Sequence, residues 1–299
     1  MINLQYYSQE EEIFDPLFTE KKVRVFVKRD DLIHPFISGN KWRKLKYSLQ
    51  NARETNKNHL ITFGGAYSNH LLATAAAAAK FGFKATGFVR GEMVENEMLM
   101  LCRLFGMQLI FTERKKYLNK QKLFDDYFGH DVQAFFIDEG GAGFPAVKGC
   151  AELIVELKNS YNHIFCACGT GTTAAGILKS INQNHLKTML HAVPVLKNGS
   201  FIQKEIEKYT DNISQLKLHL DYHFGGYAKT KPELLEFIRR FASATGILLD
   251  PVYTGKLLFA IYDLIALNYF SPGSKILAIH TGGLYGILGM TEKFRQNIL

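Results

Sequence analysis

The stretch His163-Ile-Phe-Cys-Ala-Cys168, running straight into Gly169-Thr-Gly-Thr-Thr173 and Ala174-Ala-Gly176, decides the fold. Its almost unbroken apolar run reads as a buried strand, the habit of a parallel sheet covered by helices. The glycines and threonines then mark a loop, and 174–181 reads as a helix. Glycines let a backbone come close to an anion, and free N–H groups with the helix dipole favour its charge. The hydroxyls of Thr170, Thr172 and Thr173 add neutral donors. No lysine stands where a P-loop needs one, and Ala174 replaces the third glycine of a dinucleotide fingerprint. Taken alone, the segment could equally be a plain strand-to-helix turn.

The same alternation extends in both directions. Strands are expected at 23–28, 59–63, 84–89, 107–111, 133–137, 189–195, 216–220 and 275–280. Helices are expected at 38–50, 68–81, 95–105, 145–159, 204–209, 232–245 and 256–268. Strands alternating with helices imply an α/β fold of two open, twisted, mostly parallel sheets flanked by helices. Such sheets hold ligands at the carboxyl ends of their strands. The expected division is a small α/β domain over 46–155 and a large one from 1–45 and 156–299, with a cleft between.

Composition narrows the partners. The chain has 299 residues, 47% hydrophobic, with net charge +8. Its basic residues are scattered, apart from the runs at 41–46 and 114–116, so a nucleic-acid partner is not expected. Of the four cysteines, Cys102, Cys150, Cys166 and Cys168, only the last pair is close, and no second pair completes a metal site. Buried free thiols, no metal and a reducing compartment follow. The N-terminus lacks a signal-peptide pattern, and no apolar run approaches the roughly 20 residues of a membrane span. A cytoplasmic protein without a membrane partner is expected.

Two further junctions carry candidate chemistry. In Ser38-Gly-Asn-Lys-Trp-Arg-Lys44, Lys41 sits at a helix start, where the positive end of the helix lowers an amine's proton affinity. Lys44 and Lys46 follow in the same stretch, so a solvated lysine remains the plainer reading of Lys41 alone. In Gly64-Gly-Ala-Tyr-Ser-Asn-His70, Ser68 is a natural helix cap. The alternative is that Ser68 and Asn69 present a hydroxyl and an amide to the cleft.

Together the motifs resemble one family. Their order is Lys28-Arg-Asp-Asp31, Ser38 to Leu45, Gly64 to His70, Glu139-Gly-Gly141 and Cys168 to Gly176. Then follow Gly225-Gly-Tyr227, Leu248-Leu-Asp-Pro-Val-Tyr-Thr-Gly-Lys256 and Ile279-His-Thr-Gly-Gly283. This set is similar to the 1-aminocyclopropane-1-carboxylate deaminase and D-cysteine desulfhydrase family, which has the tryptophan-synthase-β-like fold of pyridoxal-phosphate enzymes (fold type II). The resemblance implies pyridoxal 5'-phosphate as cofactor, a small amino acid as substrate and a homodimer. It implies that Lys41 bonds the cofactor and later moves the α-proton. Asn69 would hold the cofactor's 3′-oxygen, and Gly169, Thr170, Gly171, Thr172 and Thr173 would cradle its phosphate. Ser68 would sit beside the substrate, and Tyr227 and Tyr253 would line the substrate side, although each could be an ordinary core aromatic.

Within the family, the ring-opening deaminases carry Glu after the tyrosine of D-P-V-Y and Leu before the last Gly-Gly. Here Thr254 and Thr281 stand there, set by the resemblance near the cofactor's ring nitrogen, and His70 replaces a common Gln. A hydroxyl leaves that nitrogen closer to neutral than a carboxylate does, which suffices for an easy β-elimination. The expectation is therefore α,β-elimination from D-cysteine or a similar D-amino acid. The products would be pyruvate, ammonia and sulfide. Cyclopropane deamination to 2-oxobutanoate and a non-catalytic cofactor-binding role are the alternatives. Tyr67, Trp42, Leu71-Leu72 and Leu284-Tyr285 depart from the family pattern and bear on the substrate pocket.

Overall fold

The computed structural model describes residues 2–298. Among the described residues ten strands form two sheets. The larger holds β1 (Glu10–Ile13), β2 (Arg24–Lys28), β10 (Lys275–Ile279), β7 (His163–Cys168), β8 (Met189–Pro194) and β9 (Leu216–Leu218), in that order. Only β1 runs antiparallel to its neighbour. The smaller sheet is parallel throughout, in the order β5 (Gln108–Thr112), β4 (Lys84–Arg90), β3 (His59–Gly64), β6 (Ala134–Phe136). Central strands such as β3 and β7 are buried for five of their six residues, as a sheet covered on both faces requires. Two core clusters clothe the larger sheet, one on Val25, Phe165 and Leu257 and the other on Phe26, Ile164 and Ile177.

Glycines let the elements between the sheets close up. A Cβ on Gly149, in the helix Phe144–Val155, would lie 1.9 Å from the carbonyl oxygen of Arg43 in the helix Asn40–Glu54. One on Gly176, in the helix Thr172–Gln183, would lie 2.6 Å from Cys150 Cβ. Below this packing the fully buried Arg43 forks between Asp30 (2.6 and 2.8 Å) and Glu156 (2.9 and 2.8 Å). That is where Lys28-Arg-Asp-Asp31 finds its use: its carboxylate anchors the helix that begins next to Lys41.

The elements depart from expectation mainly where charge is dense. Glu10-Glu-Glu12 forms an edge strand, pinned by Tyr161 and the Lys158 N–H on Glu10, Arg29 on Glu11 and Arg24 on Glu12. Helices at Arg114–Tyr117, Lys120–Phe128 and Thr291–Ile298 were not expected, and the helix expected at 204–209 lies at Phe201–Glu207. All four cysteines are buried and free. Among the described residues no helix is long and apolar enough to cross a membrane, and no group of side chains has metal-ligand geometry.

Candidate active site

The carboxyl ends of the strands in both sheets border one cavity of about 620 Å³, within the range typical of small-molecule sites. Its wall takes Lys41, Ser68, Asn69, Gly169 to Thr173, Tyr227, Tyr253 and Thr281, all of them expected from sequence.

Backbone contacts between distant motifs set the wall. Gly39, at φ 60, caps the Lys41 helix, and a Cβ there would lie 1.8 Å from the carbonyl oxygen of Thr281. The Asn40 N–H donates to that same carbonyl at 3.2 Å. A Cβ on Gly283, at φ 82, would come within 2.7 Å of Asn69 Nδ2. Side chains at these glycines would therefore fill the space that lets Ser38-Gly-Asn-Lys41 and His280-Thr-Gly-Gly283 meet beside Asn69.

The amine at the centre is poised for covalent chemistry. Lys41 Nζ donates to Asn40 Oδ1 at 2.7 Å, and Asn40 Nδ2 donates to Thr173 Oγ1 at 3.0 Å. Asn40 thus links the lysine to the threonine loop. Burial, followed by the like charge of Lys44, lowers Lys41 from 10.5 to about 7. The direction matches the sequence expectation, with desolvation the largest cause and the neighbouring cation next. Lys44 is buried, lines the cavity and donates to the Gly140 carbonyl at 3.1 Å; burial depresses its proton affinity too. Sequence reasoning set Lys44 aside as one lysine among several. Its spacing of three from Lys41, which puts both on one helix face, was the available signal.

The loop itself is built for an anion. Gly171 takes φ 76 as the cap of the helix Thr172–Gln183, whose first-turn N–H groups have no partner within the helix. Thr170 and Thr172 hydroxyls pair at 3.1 Å. On the opposite wall, Ser68 caps the helix Asn69–Phe81 by accepting from the N–H groups of His70 and Leu71, at 3.2 and 3.3 Å. Both readings of Ser68 therefore hold at once, as cap and as cavity lining. Burial, helped by Tyr227, raises the Tyr253 phenol well above its usual range, so it stays protonated. The two tyrosine rings meet edge-on at 6.1 Å.

Thr254 is the exception. It is fully buried, does not line the cavity, and its hydroxyl donates to Asp250 Oδ1 at 2.7 Å. The Asp250 carboxylate also accepts the N–H groups of Val252, Tyr253 and Thr254 at 2.8 to 2.9 Å. This capped turn directs Thr254 inward and Tyr253 outward. Its expected place beside the ring nitrogen is corrected on that ground, leaving Thr281 as the cavity-lining residue of the two.

Comparison with known proteins shows the family. The family described as "Pyridoxal-phosphate dependent enzyme" matches residues 14–282. A Thermotoga maritima protein, provisionally named a 1-aminocyclopropane-1-carboxylate deaminase, is 31% identical over 90% of this chain and 91% of its own. The Arabidopsis thaliana bifunctional D-cysteine desulfhydrase/1-aminocyclopropane-1-carboxylate deaminase is 30% identical over 90% of this chain and 74% of its own. The crystal structure of a 1-aminocyclopropane-1-carboxylate deaminase homologue superposes with TM-score 0.87 at 26% identity, over 99% of this chain and 95% of that one. The chain therefore belongs to the pyridoxal-phosphate dependent enzymes of fold type II, in the family of the 1-aminocyclopropane-1-carboxylate deaminases and D-cysteine desulfhydrases. It is a lyase or deaminase whose cofactor is pyridoxal 5'-phosphate. The cavity suits that cofactor, with an anion-binding loop and the cation of Lys44 for a phosphate and a proton-poor amine at Lys41 for an aldehyde carbon.

Proposed function

We propose that this enzyme removes the β-substituent and the amino group from a small D-amino acid, D-cysteine or one like it. Uptake of water would yield pyruvate, ammonia and sulfide. The observation that carries the reading is Thr281, a hydroxyl-bearing residue at 7% exposure that lines the cavity, where by the resemblance the ring-opening deaminases carry Leu. When bound, pyridoxal phosphate supplies the aromatic ring that draws off charge from the α-carbon. Lys41 would hold the cofactor, and its Nζ would accept the α-proton of the substrate; an amine with pKa about 7 is about half unprotonated in neutral solution. Asn69 would hold the 3′-oxygen, and Gly169 to Thr173 with Lys44 the phosphate. Ser68 would donate its hydroxyl to the substrate carboxylate. Tyr253, kept protonated, would donate to the departing β-substituent, with Tyr227 beside it.

The names of the relatives favour a second reading, opening of a cyclopropane ring to give 2-oxobutanoate and ammonia. Holoenzyme given D-cysteine, L-cysteine, D-serine and 1-aminocyclopropane-1-carboxylate in turn decides between them by the keto acid formed. Pyruvate with sulfide from D-cysteine is expected. 2-Oxobutanoate as the fastest product would replace the first reading by the second. A homodimer is part of the proposal, and light scattering tests it.

A further inference from the structure

Lys256 is fully buried in the first turn of the helix Thr254–Ala266. Its ammonium donates to the carbonyls of His223 (2.8 Å), Gly226 (2.8 Å) and Val195 (3.4 Å). Three donors meet three backbone acceptors, and no carboxylate takes part in these bonds. A buried cation costs desolvation that a leucine or methionine would avoid, and burial lowers this lysine to about 8. An arrangement so costly invites a reason beyond packing.

The three carbonyls belong to the cavity's substrate side. Val195 precedes Leu196, and Gly226 precedes Tyr227 and Ala228, all three lining residues. Tyr253 stands three residues before Lys256, at the cap of the same helix. The turn bearing Tyr227 is strained: Phe224 and Ala228 sit at φ 53 and 54, Gly225 and Gly226 at φ 96 and 123. Left-handed non-glycine residues persist only where their surroundings impose them. The remaining bonds of the turn are local, from Gly225 N–H to His223 Nδ1, from Gly226 N–H to the His223 carbonyl and from Lys229 N–H to the Gly226 carbonyl. Phe224 packs edge-on against Phe259 of the helix Thr254–Ala266 at 4.9 Å, and the ammonium of Lys256 is what ties the backbone of the turn, through its carbonyls, to that helix.

We propose that Lys256 is a positioning residue for the substrate: its ammonium clasps the segments 195–196 and 223–228 to the helix start behind Tyr253, fixing Tyr227 against Tyr253 across the cavity. This rests on the reading that the two tyrosines flank the substrate, and it assigns the precision of that flank to one buried cation.

The test uses holoenzyme carrying Lys256→Met, which keeps the length and loses the donors, and Lys256→Gln, which keeps an amide donor. Amide hydrogen exchange at 223–228 should quicken about tenfold in Lys256→Met and less in Lys256→Gln, while 169–173 stays unchanged. The visible cofactor absorbance should persist. With the amino acid that turns over fastest, KM should rise about tenfold in Lys256→Met, with kcat changing far less. In a Tyr227→Ala background the same substitution should raise KM by less than about twofold, since Lys256 acts through that side chain. Unchanged exchange at 223–228 in both variants, or an equal KM rise with Tyr227 removed, overturns the proposal. Should Lys256→Met fail to fold, Lys256→Gln alone decides by the same readouts. If wild-type enzyme turns over no amino acid, the functional reading fails, while the exchange comparison still decides the clasp.

Discussion

An amine attacks an aldehyde only without its proton, so the charge state of Lys41 governs loading of the cofactor. Burial disfavours the ammonium, Lys44 adds a like charge, and the group falls from 10.5 to about 7. Cofactor-free protein should therefore capture pyridoxal phosphate at a rate that climbs through about pH 7 and levels off above it, where the amine is already neutral. Stopped-flow absorbance read against pH gives the inflection. Lys44→Met removes the like charge and should move it upward; a rate still climbing near pH 10 would mark Lys41 as an ordinary lysine. Lys41 is singled out in the sequence only by the resemblance of Ser38 to Leu45 to one family, since read alone it is more plainly a solvated lysine at a helix start. Thr254 could not be placed, because its sequence neighbour Tyr253 lines the cavity while Thr254 turns to Asp250. Nothing local to the sequence says which of two consecutive residues a capped turn sends outward. Lys256 left only a faint trace, as a lone cation at the head of a helix otherwise almost wholly apolar.

At the scale of elements, two helix crossings decide how near the Lys41 helix lies to the threonine loop. Gly149 permits one of them, since any Cβ would sit 1.9 Å from the Arg43 carbonyl. Alanine gains about 1 kcal/mol of helix propensity over glycine in an exposed helix. Here the clash reverses the sign, and Gly149→Ala should cost about 1–3 kcal/mol as the two helices part. Because the displaced helix carries Lys41, cofactor affinity should fall with stability. Urea unfolding and a pyridoxal-phosphate titration of one preparation read both, and unaltered stability would mean that the crossing relaxes freely. The crossing was invisible in sequence, where Gly149 reads only as a weak helix former, whereas the strands were plain. β3, β4, β7 and β8 are apolar runs ended by turn residues, and the structure keeps them within a residue or two of where they were read. β1 escaped because three successive glutamates read as solvated chain, and their partners Arg24, Arg29 and Tyr161 come from elsewhere. The helix Lys120–Phe128 escaped because it follows the basic run at 114–116, which masked any helical period.

Across the whole molecule, the acid limit of stability should be set by histidines far from the cavity. His163, His191 and His219 form a ladder over the larger sheet, from His163 Nδ1 to His191 Nε2 at 3.0 Å and from His191 Nδ1 to His219 Nε2 at 2.8 Å. Each bond between rings needs one protonated and one bare nitrogen, and burial keeps the middle ring neutral. Phe165 stacks on it at 4.3 Å, and burial holds His191 down at about 2 and His219 at about 4, with His163 also lowered. In the unfolded chain the same groups titrate near 6.5. Their contribution is therefore intact above about pH 6.5 and is lost as pH falls below it, because the unfolded state binds protons that the folded state refuses. At about pH 5, His191 alone should have cost about 2 kcal/mol. The carboxylates behave differently. Burial alone would raise Glu156, but hydrogen bonds from Arg43 overcome it and hold the group below 4.5, so its share is lost only at lower pH. Urea midpoints should thus decline between about pH 7 and 5, before the carboxylates respond, and His191→Phe should flatten that decline by about one proton. An unchanged slope in the variant would assign the acid loss to the other buried histidines, His219 and His163 of the ladder and the cavity's His70, which burial, Lys41 and Lys44 also keep uncharged.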